Sequence, residues 1–329
     1  MMRKALKISL AAIAVGTLVA GCGQSPNARG SDDSSDIQEL VFAAVPSEES
    51  QELEESFAPV IKALEKETGL PVRFEAVSSN AGVVEAQVAE RVDIAVYGAF
   101  SYYLASGVAD VTPVAVDQRE PGGESGVESY GIVRSDTPAI ASLEDAQGKN
   151  VCFTDPASST GYLSPSAGLI EAGIDVESGV EAIFAGGHDT AVTSLLAGDC
   201  DVAFAAATFV DELLPARGAL KPEEVNKIWT SPVIPGPPVV VGNWLPEDLQ
   251  TKITTALTKY DAVTAAENGF CEGAETEAPE TWGEFAGKPS CVWGGTAAFA
   301  FVPTNDEAYE PIRDICEITK AEVCTAEQQ

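Results

Sequence analysis

Basic residues are scarce in this chain. Nineteen Lys and Arg stand against fifty-one Asp and Glu, and with a single histidine, His188, the formal charge is −32. So acidic a chain is a poor partner for nucleic acid or for an acidic membrane surface. A small anion is not excluded, because exposed charges beyond about 8–10 Å are screened at physiological salt and a buried cradle acts through local dipoles. No CxxC spacing and no HExxH occur, so neither a zinc site nor any other metal or cofactor is expected. The absence of G-x-S-x-G removes the nucleophile elbow of the α/β-hydrolases. No repeat at solenoid periods is present. The apolar run at residues 8–20 is too short to span a bilayer.

That run does have another reading. It follows Arg3, Lys4 and Lys7 and ends in Leu18-Val19-Ala20-Gly21-Cys22, the layout of a signal peptide over 1–21. Small residues immediately before a cysteine resemble the lipobox of bacterial lipoproteins, which implies export, lipid attachment at Cys22 and anchoring to the outer face of the cell membrane. Residues 22–35, rich in Ser, Asn, Gly and Asp, read as a flexible tether. Loss of the three basic residues of the leader takes the charge from −32 to about −35.

The remaining chain of about 308 residues suits two domains. Six cysteines besides Cys22, in an oxidising compartment, predict three disulfides. About fifteen pairings are possible; proximity favours Cys271 with Cys291 and Cys316 with Cys324, leaving Cys152 with Cys200.

Strand and helix signals alternate. Apolar runs at 40–45, 71–77, 94–97, 150–153, 180–184 and 201–205 predict strands, and helical spacing is found around 50–64, 83–92, 190–197, 246–260 and 306–318. The pattern predicts an α/β fold with mostly parallel sheets, whose ligands sit beyond the carboxyl ends of the strands. Residues expected there are Ser47, Ser78, Ser79, Asn80, Tyr97 and Gly98. The proline-rich segment 231–241 reads as a crossing between domains rather than a central strand.

The most informative stretch is 155–168, DPASSTGYLSPSAG, directly after the strand at 150–153. Three consecutive hydroxyl residues, Ser158, Ser159 and Thr160, precede a glycine and a helix, so hydroxyls and first-turn N–H groups converge as an anion cradle. One of the serines can equally serve as a helix cap. His188 follows two glycines at another strand-to-helix corner, with Asp189 beside it as a possible cap. An imidazole next to an oxyanion is expected to be drawn towards its protonated form.

Several separated segments, in order, resemble the substrate-binding proteins of ABC transporters for phosphonate, phosphite and phosphate: AGVVEAQVAERVDIAVYGAFSYYLA, DPASSTGYLSP, GGHDTAV, IWTSPVIPGPPVV and YEPIR. The resemblance implies a monomeric, non-enzymatic binding protein with a two-lobed, type II periplasmic-binding-protein-like fold that hands its ligand to a membrane permease. It implies lobe 1 over 36–129 and 235–329 and lobe 2 over 130–234, with hinge crossings between them. Carried over by position, it implies ligand contacts from Ser158, Ser159, Thr160, His188, Tyr97, Asn80 and Asp189. Family members commonly show Ser-Thr-Ser where this chain has Ser-Ser-Thr. Asn80 stands where some place Tyr, and Pro237 where some place an Asp beside a ligand amine; both departures count against aminoalkyl-phosphonate specificity, while Asp189 is left to receive an amine. Donors alone around three oxygens leave a fourth oxygen unmatched, which favours phosphite or a monoanionic phosphonate over phosphate. Two other readings are a binding protein for another small anion or metabolite, such as a sulfonate or a pyrimidine precursor, and a secreted hydrolase using Ser158 or Ser159 with His188 and Asp189 or Asp155.

Overall fold

The computed structural model describes residues 37–45, 50–137, 139–295, 297–319 and 324. The leader, Cys22, the tether and Ser47 lie outside the described residues. The chain opens with β1 (Leu40–Ala44), α1 (Ser50–Thr68), β2 (Val72–Glu75), α2 (Asn80–Val88), β3 (Ile94–Val96), α3 (Ala99–Ser106) and β4 (Val111–Gln118). It then enters β5 (Ser129–Arg134) and β6 (Asn150–Phe153), followed by a wide helical turn at Ser159–Leu163 that runs into α4 (Ser164–Glu171). Next come α5 (Val176–Gly179), β7 (Glu181–Phe184), α6 (His188–Ala197), β8 (Val202–Ala206), a second wide turn at Phe209–Leu213, α7 (Leu214–Ala216) and β9 (Val225–Thr230). The return consists of β10 (Pro238–Gly242), α8 (Glu247–Lys259), α9 (Ala262–Glu267), β11 (Thr276–Glu277), β12 (Pro289–Ser290), β13 (Ala300–Pro303) and α10 (Glu310–Thr319).

Two larger sheets result, in the orders β13-β4-β10-β3-β1-β2 and β7-β6-β8-β5-β9. Each has a parallel part, β2-β1-β3 and β7-β6-β8, built by βαβ crossovers. The rest of each is antiparallel, so the sheets are mixed and not mostly parallel. The physical reason lies in the crossings. The chain leaves the first sheet after β4 and returns as β10, which enters between β3 and β4 running against both. The crossing segments pair at Val127 and Ile234, each N–H donating to the other's carbonyl at 2.9 Å.

Segment 231–241 therefore does two jobs. Its first half crosses, but Pro238–Gly242 is a central strand of the first sheet, with Val239, Val240 and Val241 fully buried. Proline is tolerated because Pro238 opens the strand, where its missing N–H costs little, and its carbonyl still accepts Tyr97 N–H at 3.0 Å. Apolar clusters cover both faces of both sheets; Leu53, Phe57, Val60 and Leu64 of α1 join Leu249, Ile253 and Leu257 of α8 on one face of the first. All three disulfides form, Cys152–Cys200, Cys271–Cys291 and Cys316–Cys324, with Cα separations of 5.8, 5.2 and 5.5 Å. The first ties β6 to the entry of its parallel neighbour β8.

Candidate functional site

Four helical starts face one cavity between the sheets. Asn80 is the first residue of α2, Ala99 of α3, Ser159 of the wide turn leading into α4, and His188 of α6, and all four line the cavity. Each start brings first-turn N–H groups and the positive end of a helix dipole, so negative charge is favoured there without any cation. Among the described residues no Lys or Arg lines the cavity. It encloses about 100 Å³, room for a small anion and well below the roughly 300–1,000 Å³ pockets that take drug-sized molecules.

The hydroxyl turn supplies donors with little conformational freedom left to lose. Ser158 Oγ accepts Gly161 N–H at 3.0 Å, and Ser159 Oγ accepts Phe100 N–H, from α3 in the opposite lobe, at 3.3 Å. A hydroxyl that accepts from the backbone still has its own proton to donate, so helix capping and ligand binding are compatible at Ser158. Thr160 Oγ1 lies 3.4 Å from His188 Nε2. Thr154, at the end of β6, lines the same wall with a buried Oγ1 that has no protein partner; such a group is expensive unless something fills it. Gly161 is required here, since a Cβ at that position falls 1.8 Å from Thr154 Oγ1. Across the cavity Gly98 caps α3 without a side chain, and a Cβ there meets Ser159 Oγ at 3.1 Å.

His188 is neutral in this arrangement. Its Nδ1 accepts Ala206 N–H at 3.1 Å, which assigns the proton to Nε2, the nitrogen facing Thr160. Burial, at 8% exposure, lowers its pKa from 6.5 to about 4. The unfolded chain therefore binds a proton between pH 6.5 and 4 that the folded chain resists, and stability falls as pH drops through that window. We expect the free protein to lose about 2 kcal/mol on this account between pH 6.5 and 5. In thermal melts His188→Gln should flatten that segment of the pH profile, and an unaltered slope would refute the assignment.

Ser158, Ser159, Thr160, His188, Asn80 and Tyr97 all line the cavity. Tyr97 differs from expectation in detail: its hydroxyl donates to Gln87 Oε1 at 2.9 Å, and burial raises its pKa, so the phenol's proton is engaged behind the wall. Asp189 is not among the lining residues; it sits in the first turn of α6, where its Oδ1 accepts Thr190 N–H at 2.7 Å. It does not cap that helix, whose N-cap is Gly187. Sequence reasoning missed Thr154, Ala99 at the start of α3, Thr208 and Asp117, all in the wall, and the Phe100 N–H that reaches Ser159. Asp117 also overturns the expectation of a lining made of donors alone. The signal for α3 was present as a glycine between a buried strand and a helix; for Asp117 no local signal exists.

One family model, described as ABC transporter, phosphonate, periplasmic substrate-binding protein, matches residues 42–278. The chain belongs to that family. This phosphonate-type binding protein is 36% identical over 328 residues to the phosphate-import protein PhnD of Mycolicibacterium smegmatis, covering 97% of each chain. Its fold is that of the binding-protein component of an ABC phosphonate transporter from Pseudomonas aeruginosa, with TM-score 0.71 and 23% identity over 89% of this chain and 93% of that one. It also matches PhnD1 of Prochlorococcus marinus in complex with methylphosphonate, with TM-score 0.67 and 17% identity over 86% and 98% of the two chains. The protein is thus the extracytoplasmic substrate-binding component of an ABC transporter of the phosphonate class, a role that entails a membrane permease as partner.

Proposed function

We propose that this binding protein captures a small phosphorus oxyanion, phosphonate, phosphite or phosphate, and that Ser158, Ser159, Thr160, His188 and Asn80 hold it together with the first-turn N–H groups of α3. The observation that carries this reading is the convergence of four helical starts on a cavity with no basic side chain. A micromolar site needs about −8 kcal/mol, and hydrogen bonds to a charged group give roughly 1.5–3 kcal/mol each, so five or six donors are enough after association costs. The opposite wall, with Val45, Leu53, Phe57 and Phe301, suits the P–H or P–C face of phosphite or a phosphonate.

Ligand closure is supported by contacts that join the lobes around the cavity. Besides Phe100 to Ser159, Arg217 pairs with Glu52 at 2.7 Å, and Arg119 reaches Thr208 and Glu212. Binding without turnover follows from the His188 tautomer: with Nδ1 accepting a backbone N–H and Nε2 protonated, the ring cannot take a proton from Ser158 or Ser159. The motif ending in Cys22 supports a lipid anchor, and the protein acts as a monomer.

In thermal-shift measurements phosphate, phosphite or methylphosphonate at about a hundredfold excess over Kd should raise the melting temperature by roughly 5–10 °C. Silence towards all of them, or preference for an alkanesulfonate or a pyrimidine precursor, would assign the cavity to another ligand.

A further inference from the structure

Thr208 lines the cavity with a hydroxyl whose proton finds no acceptor among the described residues. It follows β8 and directly precedes Phe209, on whose ring the His188 imidazole packs with centroids 4.9 Å apart. The residue is 2% exposed. Its hydroxyl accepts a hydrogen bond from Arg119 Nη1 and makes no capping bond to the wide turn that begins at Phe209. A threonine hydroxyl that accepts one bond still has its proton to place, and a buried donor left idle is unfavourable. Arg119 does not approach through the cavity. Thr208 also forms part of the wall of a second recess, of about 340 Å³, and Arg119 lines that recess.

Arg119 is itself held in place. Its carbonyl accepts Nε1–H of the buried Trp282 at 3.0 Å, and its Nη2 donates to Glu212. With a lone pair taken from the outer recess, the Thr208 hydroxyl turns its proton away from the guanidinium and towards the cavity. Resting on the ligand class proposed above, we propose that Thr208 is a further donor to the bound oxyanion and that Arg119 is its positioning residue, orienting and polarising the hydroxyl. A hydroxyl that accepts from a cation donates more strongly than a free one, because successive hydrogen bonds in a chain polarise one another. Positive charge thus reaches the ligand through one intervening hydroxyl, with no cation desolvated in the cavity. Arg119 follows β4 of the first sheet, whereas Thr208 follows β8 of the second. The donor is therefore complete only while the two sheets stay together, which couples closure of the cleft to capture of the ligand.

Calorimetry of the full exported chain with methylphosphonate, phosphite and inorganic phosphate tests this. Thr208→Val, which keeps the shape of the side chain and removes its hydroxyl, should weaken binding about 10- to 100-fold. Thr208→Ser should restore most of the affinity, and Thr208→Ala repeats the test if the valine variant does not fold. Arg119→Met should weaken binding about tenfold in the unaltered protein but less than about threefold in Thr208→Val, because the guanidinium acts through a hydroxyl that is no longer there. A guanidinium that merely latched the two sheets would matter equally in both backgrounds, so equal losses overturn the proposal. A Thr208→Val protein that keeps its melting temperature and its affinity also overturns it, as does a folded Thr208→Ser protein that binds no better than Thr208→Val. Failure of all three ligands to bind the unaltered protein would instead overturn the ligand class, and this inference with it.

Discussion

His188→Ala is expected to weaken methylphosphonate binding by about 10- to 100-fold, the worth of one hydrogen bond to a charged group. The same change should lower stability, for a separate reason. Removing the ring leaves Ala206 N–H, which now donates to Nδ1 at 3.1 Å, buried without a partner, at about 1–3 kcal/mol. It also removes the packing of the imidazole on Phe209, whose ring centroid lies 4.9 Å away. Because the ring is neutral, its contribution to binding is that of a positioned donor. His188→Gln, which keeps a neutral donor at similar reach, should therefore recover part of the affinity, whereas a cationic contact would be lost equally in both variants. Calorimetry on the two proteins separates the cases, and affinity unchanged in His188→Ala would remove His188 from the site.

Gly161→Ala should be more damaging still, although it adds one methyl group. The added Cβ would lie 1.8 Å from Thr154 Oγ1 and 2.6 Å from its Cβ and Cγ2. Thr154 cannot retreat easily, as it is buried and its N–H donates to Gly161's own carbonyl at 3.2 Å. Relief must come from opening the turn, which displaces Ser158, whose Oγ is held by Gly161 N–H, and with it the neighbouring hydroxyls. Overpacking of this kind costs about 1–3 kcal/mol, or a fall of roughly 2–12 °C in melting temperature, and the ligand-induced shift should disappear. A Gly161→Ala protein that retained both its melting temperature and its methylphosphonate affinity would show that the turn is not held as described.

Much of this was written locally. The strand at Asn150–Phe153, the hydroxyl turn and the corner at His188 could be read directly, because turn residues and short apolar runs act over a few positions. The disulfide partners were legible for the same reason in two cases, and in the third because Cys152 and Cys200 flank parallel neighbours. Asp189, carried over by family position, is not among the residues lining the cavity, and position along the chain says nothing about direction. Successive residues on a helix point about 100° apart, and the first turn of α6 turns His188 towards Ala206 and the cavity while Asp189 binds its own backbone.

The sequence by itself determined the alternation of strands and helices, the hydroxyl turn and the cystine framework, because each depends on spacing or turn chemistry within a short stretch. Only the tertiary structure decided that the sheets are mixed, that Pro238 opens a central strand, that the histidine is neutral, and that Asp117 and the start of α3 complete the cavity. Those depend on which elements lie across from one another. Periodicity records which face of an element is buried, but the identity of its neighbour is set by long-range strand pairing and hinge crossings.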